Sequence, residues 1–270
     1  MTSASVGAVE GGRLCGLVAV TLVLMCVASP LLSAQPSSPD PTGAKIPVIV
    51  LDPGHGGADA GSHGPTGLLE KDITLQVATE AARFIEQLLG LRAVLTRTDD
   101  SAVPLETRAA LANRSGGDLF ISIHVAASFG PTRRDFQALY FEDVQGTSLR
   151  ARDEPKPRAR PARGGQAQPG ANLLAQAVVW EQAQLEFLET SQIFARLLYK
   201  NLRAQVAEEG HGIFGLPLLL LRWIRMPAVL LDLGSLSNPA LEDKLRDEAY
   251  LQRVALGIAQ AVNDYYALQR

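Results

Sequence analysis

Apolar residues come in short blocks, and their spacing changes along the chain. Val48, Ile49, Val50 and Leu51 form a run too short for a helix and stopped at once by Asp52, Pro53 and Gly54. That reads as a fully buried strand over 46–52, followed by a glycine-rich loop through Gly67. From Glu70 the spacing becomes helical: Ile73, Val77, Ala81, Phe84, Ile85 and Leu88 share one face, and Gly90 marks the stop. Residues 93–97 read as a strand. Residues 104–114 read as a helix with Pro104 in its first turn. The buried blocks 118–124 and 137–142 read as two further strands. Helix resumes near Asn172, and a second helical unit follows Thr190 and Ser191, either of which suits a cap. Its apolar face is Ile193, Phe194, Leu197, Leu198 and Leu202. "LPLLLL" at 216–221 and "PAVLLDL" at 227–233 read as buried strands, and a last helix covers 246–268.

Strands alternating with helices predict an α/β fold. The expectation is a single domain over 46–268, with a mixed, mostly parallel sheet and helices on both faces. Residues 144–170 interrupt the rhythm with Pro, Gly, Ala and Arg, and carry six basic side chains against two acidic ones. That composition predicts a flexible segment. With the helix after it, it makes an insert at about 143–188.

Composition adds a location. Arg13 precedes an apolar run from Leu14 to Ala28, and small residues and a polar "QPSSPDPTGAK" follow. This predicts a signal peptide or an uncleaved anchor over 1–34 and a Pro/Ser linker over 35–45. The protein is expected to be exported, to the periplasm or cell envelope, touching membrane only through an uncleaved leader. Both cysteines, Cys15 and Cys26, fall inside the leader, so the mature chain is expected to fold without disulfides. A net charge of −3 gives no basis for nucleic-acid binding.

Candidate chemistry gathers at strand ends and helix starts. His55 follows the first strand, Glu70 opens the first helix, His124 ends "LFISIH", and Asp232 ends "PAVLLD". Alone, His55 reads either as a loop histidine or as a metal or catalytic group. Two imidazoles and one carboxylate are the donor set of a catalytic zinc site with an open fourth position. Asp52 is expected to orient the loop or to accept from a metal-bound imidazole. His63, in the same loop, reads as an ordinary loop histidine. The helix-borne HExxH pattern of many metalloproteases is absent from the sequence.

"LDPGHGGADAG", "GLLEKDITLQVA", "LTRTDD", "LETRAALAN", "DLFISIHVAAS" and "PAVLLDLGSLSNP" occur in that order. This ordered set resembles the zinc-dependent N-acetylmuramoyl-L-alanine amidases of the type 3 family, over nearly all of 46–268 except the insert. The resemblance implies one Zn²⁺ per chain, held by His55, Glu70 and His124. It implies peptidoglycan as substrate, cut at the amide between the lactyl group of muramic acid and L-alanine. Asp232 stands where the family usually has its catalytic glutamate, and it is one methylene shorter. Ser235 stands where an aromatic is usual, "HVAA" replaces "HANA", and His211-Gly212 replaces an arginine-glycine pair. His211 and Arg222 are candidate substrate contacts. Asp232 is the expected acid/base. A rival reading is a weak or inactive peptidoglycan-binding or regulatory homologue, and a second is another zinc metallopeptidase.

The helix from Asn172 has an apolar stripe at Leu174, Val178, Leu185 and Leu188, and Glu181 falls on it. A carboxylate there is costly without a partner. One reading is a solvent-facing helix edge. The resemblance offers another: an autoinhibitory contact by Glu181, released by an activator protein acting on the insert helix.

Overall fold

The structure is a computed structural model that describes residues 45–125, 135–143 and 184–270. Six strands form one sheet: β1 (Val48–Pro53), β2 (Arg92–Leu95), β3 (Leu119–His124), β4 (Gln137–Phe141), β5 (Gly212–Leu216) and β6 (Ala228–Asp232). Their order is β2-β1-β3-β6-β4-β5. The first four strands in this order run parallel. β4 is antiparallel to β6, and β5 runs with β4. The carboxyl ends of β1, β3 and β6 therefore open on one edge, together with the amino ends of β4 and β5.

Every residue of β1 is buried, as expected of a parallel strand covered on both faces. Ile49 and Leu51 pack into the larger core beneath the helices α1 (Glu70–Leu89), α3 (Leu188–Val206) and α6 (Glu248–Ala267). Val50 points the other way, into a smaller core with Ala109 and Ala112 of α2 (Leu105–Arg114) and Leu220 and Leu221 of α4 (Leu219–Arg222). α5 (Pro239–Arg246) precedes α6. The sheet is mixed and mostly parallel with helices on both faces, as its sequence predicts.

Several expectations are corrected. Residues 216–221 are not a strand: β5 ends at Leu216, and Leu218 N–H turns back to the Leu216 carbonyl before α4 begins. Pro217 has no N–H to extend a ladder, and a run of leucines does not distinguish strand from buried helical turn. The last helix, expected near 246–268, is present as Glu248–Ala267, with Asp247 accepting from Ala249 N–H at 2.9 Å. Asn238 caps the separate α5. Neither Thr190 nor Ser191 caps α3, which starts at Leu188. Ser191 is buried inside it, and its hydroxyl accepts from Ala228 N–H at 3.0 Å, tying the helix to the start of β6. Leu185 is exposed, while Gln184 is buried and donates to the carbonyls of Ile224 and Met226. Leu88, at the end of α1, is also exposed. No helix among the described residues is long and apolar enough to cross a membrane. The expected leader, the expected linker up to residue 44, and 144–183 of the expected insert, with Glu181, lie outside the described residues.

Candidate metal centre

The abrupt end of β1 places the first imidazole. His55 takes φ 60°, and only Ala207 shares a positive φ among the described non-glycine residues. Such a conformation costs on the order of 1–3 kcal/mol and persists only where the surroundings impose it. Gly54 makes the second imidazole possible: a Cβ at that position would overlap the His124 ring. The two rings meet edge to face with centroids 5.0 Å apart. Gly61, at φ +66°, clears the other side, where a Cβ would lie 2.6 Å from His55 Cδ2 and 2.7 Å from Glu70 Oε2.

Glu70, the first residue of α1, is 2% exposed. Its Oε1 accepts from Val125 N–H at 2.8 Å and lies 3.1 Å from His55 Nε2 and 3.0 Å from His124 Nδ1. Its Oε2 accepts from Ser62 N–H at 2.8 Å. One donor atom each from His55, Glu70 and His124 falls within 4.8 Å of the others. The structure thus brings together the three residues that the sequence proposed as ligands. Burial alone would raise the Glu70 pKa, but hydrogen bonds from His124, His55 and Ser62 N–H hold it well below the usual carboxylate range. The Glu70 hydrogen bond raises the His55 pKa; burial opposes this, and Asp59 adds to it.

The partner of the outer imidazole nitrogen differs from the expected one. His55 Nδ1 lies 2.9 Å from Asp59 Oδ2, and Asp59 Oδ1 accepts from Gly61 N–H. Asp52 serves no histidine. It is buried and accepts from Thr96 Oγ1 at 2.5 Å, Arg108 Nη1 at 2.9 Å and Ser122 Oγ at 2.8 Å. Arg97 and Arg108, each 4% exposed, lie behind the loop. The sequence motifs contain both arginines, but nothing in their spacing shows that they converge on the histidine loop.

Asp232 pairs in register with His124 on the adjacent parallel strand. It is 1% exposed, its Oδ2 accepts from Gln137 Nε2 at 2.8 Å, and its Oδ1 accepts from Gly234 N–H at 3.0 Å. Gln137 escaped sequence reasoning because only the reversal of β4 sets its first residue against the last residue of β6. His211 lies at the same sheet edge, bonded through its N–H to the Phe136 carbonyl. β5 is three strands from β3, which puts His211 roughly 14 Å from His124 by strand spacing. Arg222 ends α4 and does not line the cleft beside the imidazoles. His63 is exposed and outside the donor cluster. The cleft, about 330 Å³, is bounded by His55, His124, Asp59 and Arg108 and walled by Val103, Pro104, Leu105 and Leu220.

The sequence profile of the Amidase_3 family, N-acetylmuramoyl-L-alanine amidase, matches residues 49–264. The chain belongs to this amidase family. It is 30% identical over 242 residues to N-acetylmuramoyl-L-alanine amidase AmiC of Neisseria meningitidis, covering 86% of this chain and 56% of the relative. It is 30% identical over 221 residues to AmiA of Escherichia coli, covering 81% of this chain and 76% of that protein. The chain thus spans little more than half the length of the first relative. Among solved structures, an N-acetylmuramoyl-L-alanine amidase from Clostridium difficile 630 superimposes with a TM-score of 0.63 at 26% identity, covering 84% of this chain and all of that one. The fold is that of amidase catalytic domains, and the candidate metal cluster lies within the span that the family profile matches.

Proposed function

We propose that the chain is a zinc-dependent amidase that hydrolyses the bond between the muramic acid lactyl group and L-alanine in peptidoglycan, in the cell envelope. The observation that carries this reading is the convergence of His55, Glu70 and His124 in a chain of this family. The donor set fits zinc: two imidazoles and a carboxylate leave one tetrahedral position open, and Asp59 supports His55 from behind. Zinc, when bound there, supplies Lewis acidity and lowers the pKa of a water to about 7. The protein supplies the rest. Glu70 holds its charge between the two imidazoles, and Asp59 fixes the orientation of His55. Asp232, beside His124, takes a proton from the attacking water on its carboxylate and passes it to the leaving amine nitrogen. Gln137 and Gly234 fix the angle of that carboxylate. His211 and Arg222 are the proposed substrate contacts, both outside the cleft beside the imidazoles.

One observation favours the rival reading, a binding module with little activity: both oxygens of Asp232 already have donors. An activator acting on the insert, with Glu181 as the contact it releases, is the proposed regulation. Purified protein with zinc, incubated with intact sacculi, is expected to release stem peptides with a free L-alanine amino terminus, read by mass spectrometry. Deleting 144–183 is expected to raise that release. If neither form releases peptide while both bind sacculi, the binding-module reading replaces the enzyme.

A further inference from the structure

Three successive carbonyls, those of Pro53, Gly54 and His55, point at two buried guanidinium groups. Arg97 donates from Nε to Pro53 O at 3.0 Å and from Nη2 to Gly54 O at 2.8 Å. Arg108 donates from Nη1 to Pro53 O at 2.6 Å and from Nη2 to His55 O at 2.5 Å. We infer that Arg97 and Arg108 are positioning residues for zinc: by gripping the carbonyls at 53–55 they hold His55 in its left-handed conformation and set its ring toward Glu70 and His124 before any metal arrives.

The rest of the surroundings support this assignment. Arg108 is anchored at its far side by Val103 O at 2.8 Å and by the Asp52 carboxylate, which Thr96 and Ser122 fix in turn. Arg97 is anchored by Asp99 O, Lys71 O and Thr74 Oγ1 at 2.9, 2.8 and 3.1 Å, so the same guanidinium also reaches the first turn of the helix that carries Glu70. Two guanidinium groups side by side in a buried place are costly even with the Asp52 carboxylate against one of them; the loss of solvent, then the proximity of Arg108, lower the Arg97 pKa. What two planar forks supply is several fixed donors at set angles, which one lysine ammonium does not reproduce. The carbonyls at 53–55 are thereby occupied by the two guanidinium groups, while His55 Nε2 lies 3.1 Å from Glu70 Oε1.

This inference rests on the zinc reading above, but its test does not use hydrolysis. In the purified full chain, Arg108→Lys keeps the charge beside Asp52 and removes the fork. Zinc affinity, measured by competition with a chromogenic chelator, is expected to fall on the order of 10- to 100-fold, with the circular dichroism of the fold unchanged. In chelated protein, amide exchange over residues 54–57 is expected to quicken in the variant, while exchange in β3 and α6 stays as in the wild type. A folded variant whose zinc affinity lies within about threefold of the wild type overturns the inference. If Arg108→Lys does not fold, Arg97→Lys, which leaves the Arg108–Asp52 pair in place, is judged by the same two readouts and the same limits.

Discussion

The two ends of the candidate site are built differently. The metal end, formed by β1, β3 and the start of α1, is over-determined: Glu70 is held by two backbone N–H groups and two imidazoles, and the loop bearing His55 by two arginines. The acid/base end, at β6 and β4, is assembled across strands of opposite direction. Among the described residues Gln137 Nε2 and Gly234 N–H donate to Asp232, and Gln137 comes from a strand running the other way. The contrast separates a cluster gathered by neighbouring parallel strands and a helix start from a carboxylate whose described side-chain donor depends on the reversal of β4.

The largest expected effects break the metal end. His55→Ala or His124→Ala should abolish zinc binding and bring peptide release to background, as read by metal analysis and mass spectrometry. Asp232→Asn should leave zinc in place and lower release on the order of 10²- to 10⁴-fold, the usual contribution of a general acid/base. An inactive Asp232→Asn without zinc would mean that the two ends are not separable. Gly54→Ala should weaken zinc by roughly 10- to 100-fold through displacement of the His124 ring, with little change in the fold. Gln137→Leu should cost about 1–3 kcal/mol of stability in denaturant titration, because the Asp232 Oδ2 is left buried without that donor. Its zinc affinity should not change.

Much of this was legible in the sequence, for local reasons. The run Val48–Leu51 followed by Pro53 and Gly54 marks a buried strand and its end, and Glu70 sits where helical spacing begins. His55, Glu70 and His124 were therefore readable, each beside its own signal. Gln137 was not, because strand direction and order are set by packing across the whole sheet. Arg97 and Arg108 occur in the motifs, but their convergence on the histidine loop depends on packing between segments distant in sequence. Of the two roles read for Asp52, bracing the loop holds, through Arg108, while the imidazole's acceptor is Asp59, which the turn of the loop brings back to His55. The leucines at 216–221 were misread because composition carries no period there.

The smallest expected effect is in pH. Without metal, the raised His55 pKa contributes stability below its ordinary value of 6.5, and that contribution is lost as pH rises through the folded value. The lowered Glu70 pKa contributes above its ordinary 4.5 and is lost only as pH falls through the folded value. Both contributions coexist between these two ordinary values, so chelated protein should lose some thermal stability from pH 6 to 8. Zinc-loaded protein should gain over the same range, because zinc binds the deprotonated ligands. Parallel slopes with and without zinc would place the metal elsewhere.

The most direct test of the central claim is calorimetric titration of the chelator-stripped full chain with zinc, beside single variants of His55, Glu70 and His124. The account predicts one equivalent bound by the wild type and severe loss in each variant. A wild type that takes up no zinc, or a variant lacking either imidazole that binds it as tightly as the wild type, would contradict it.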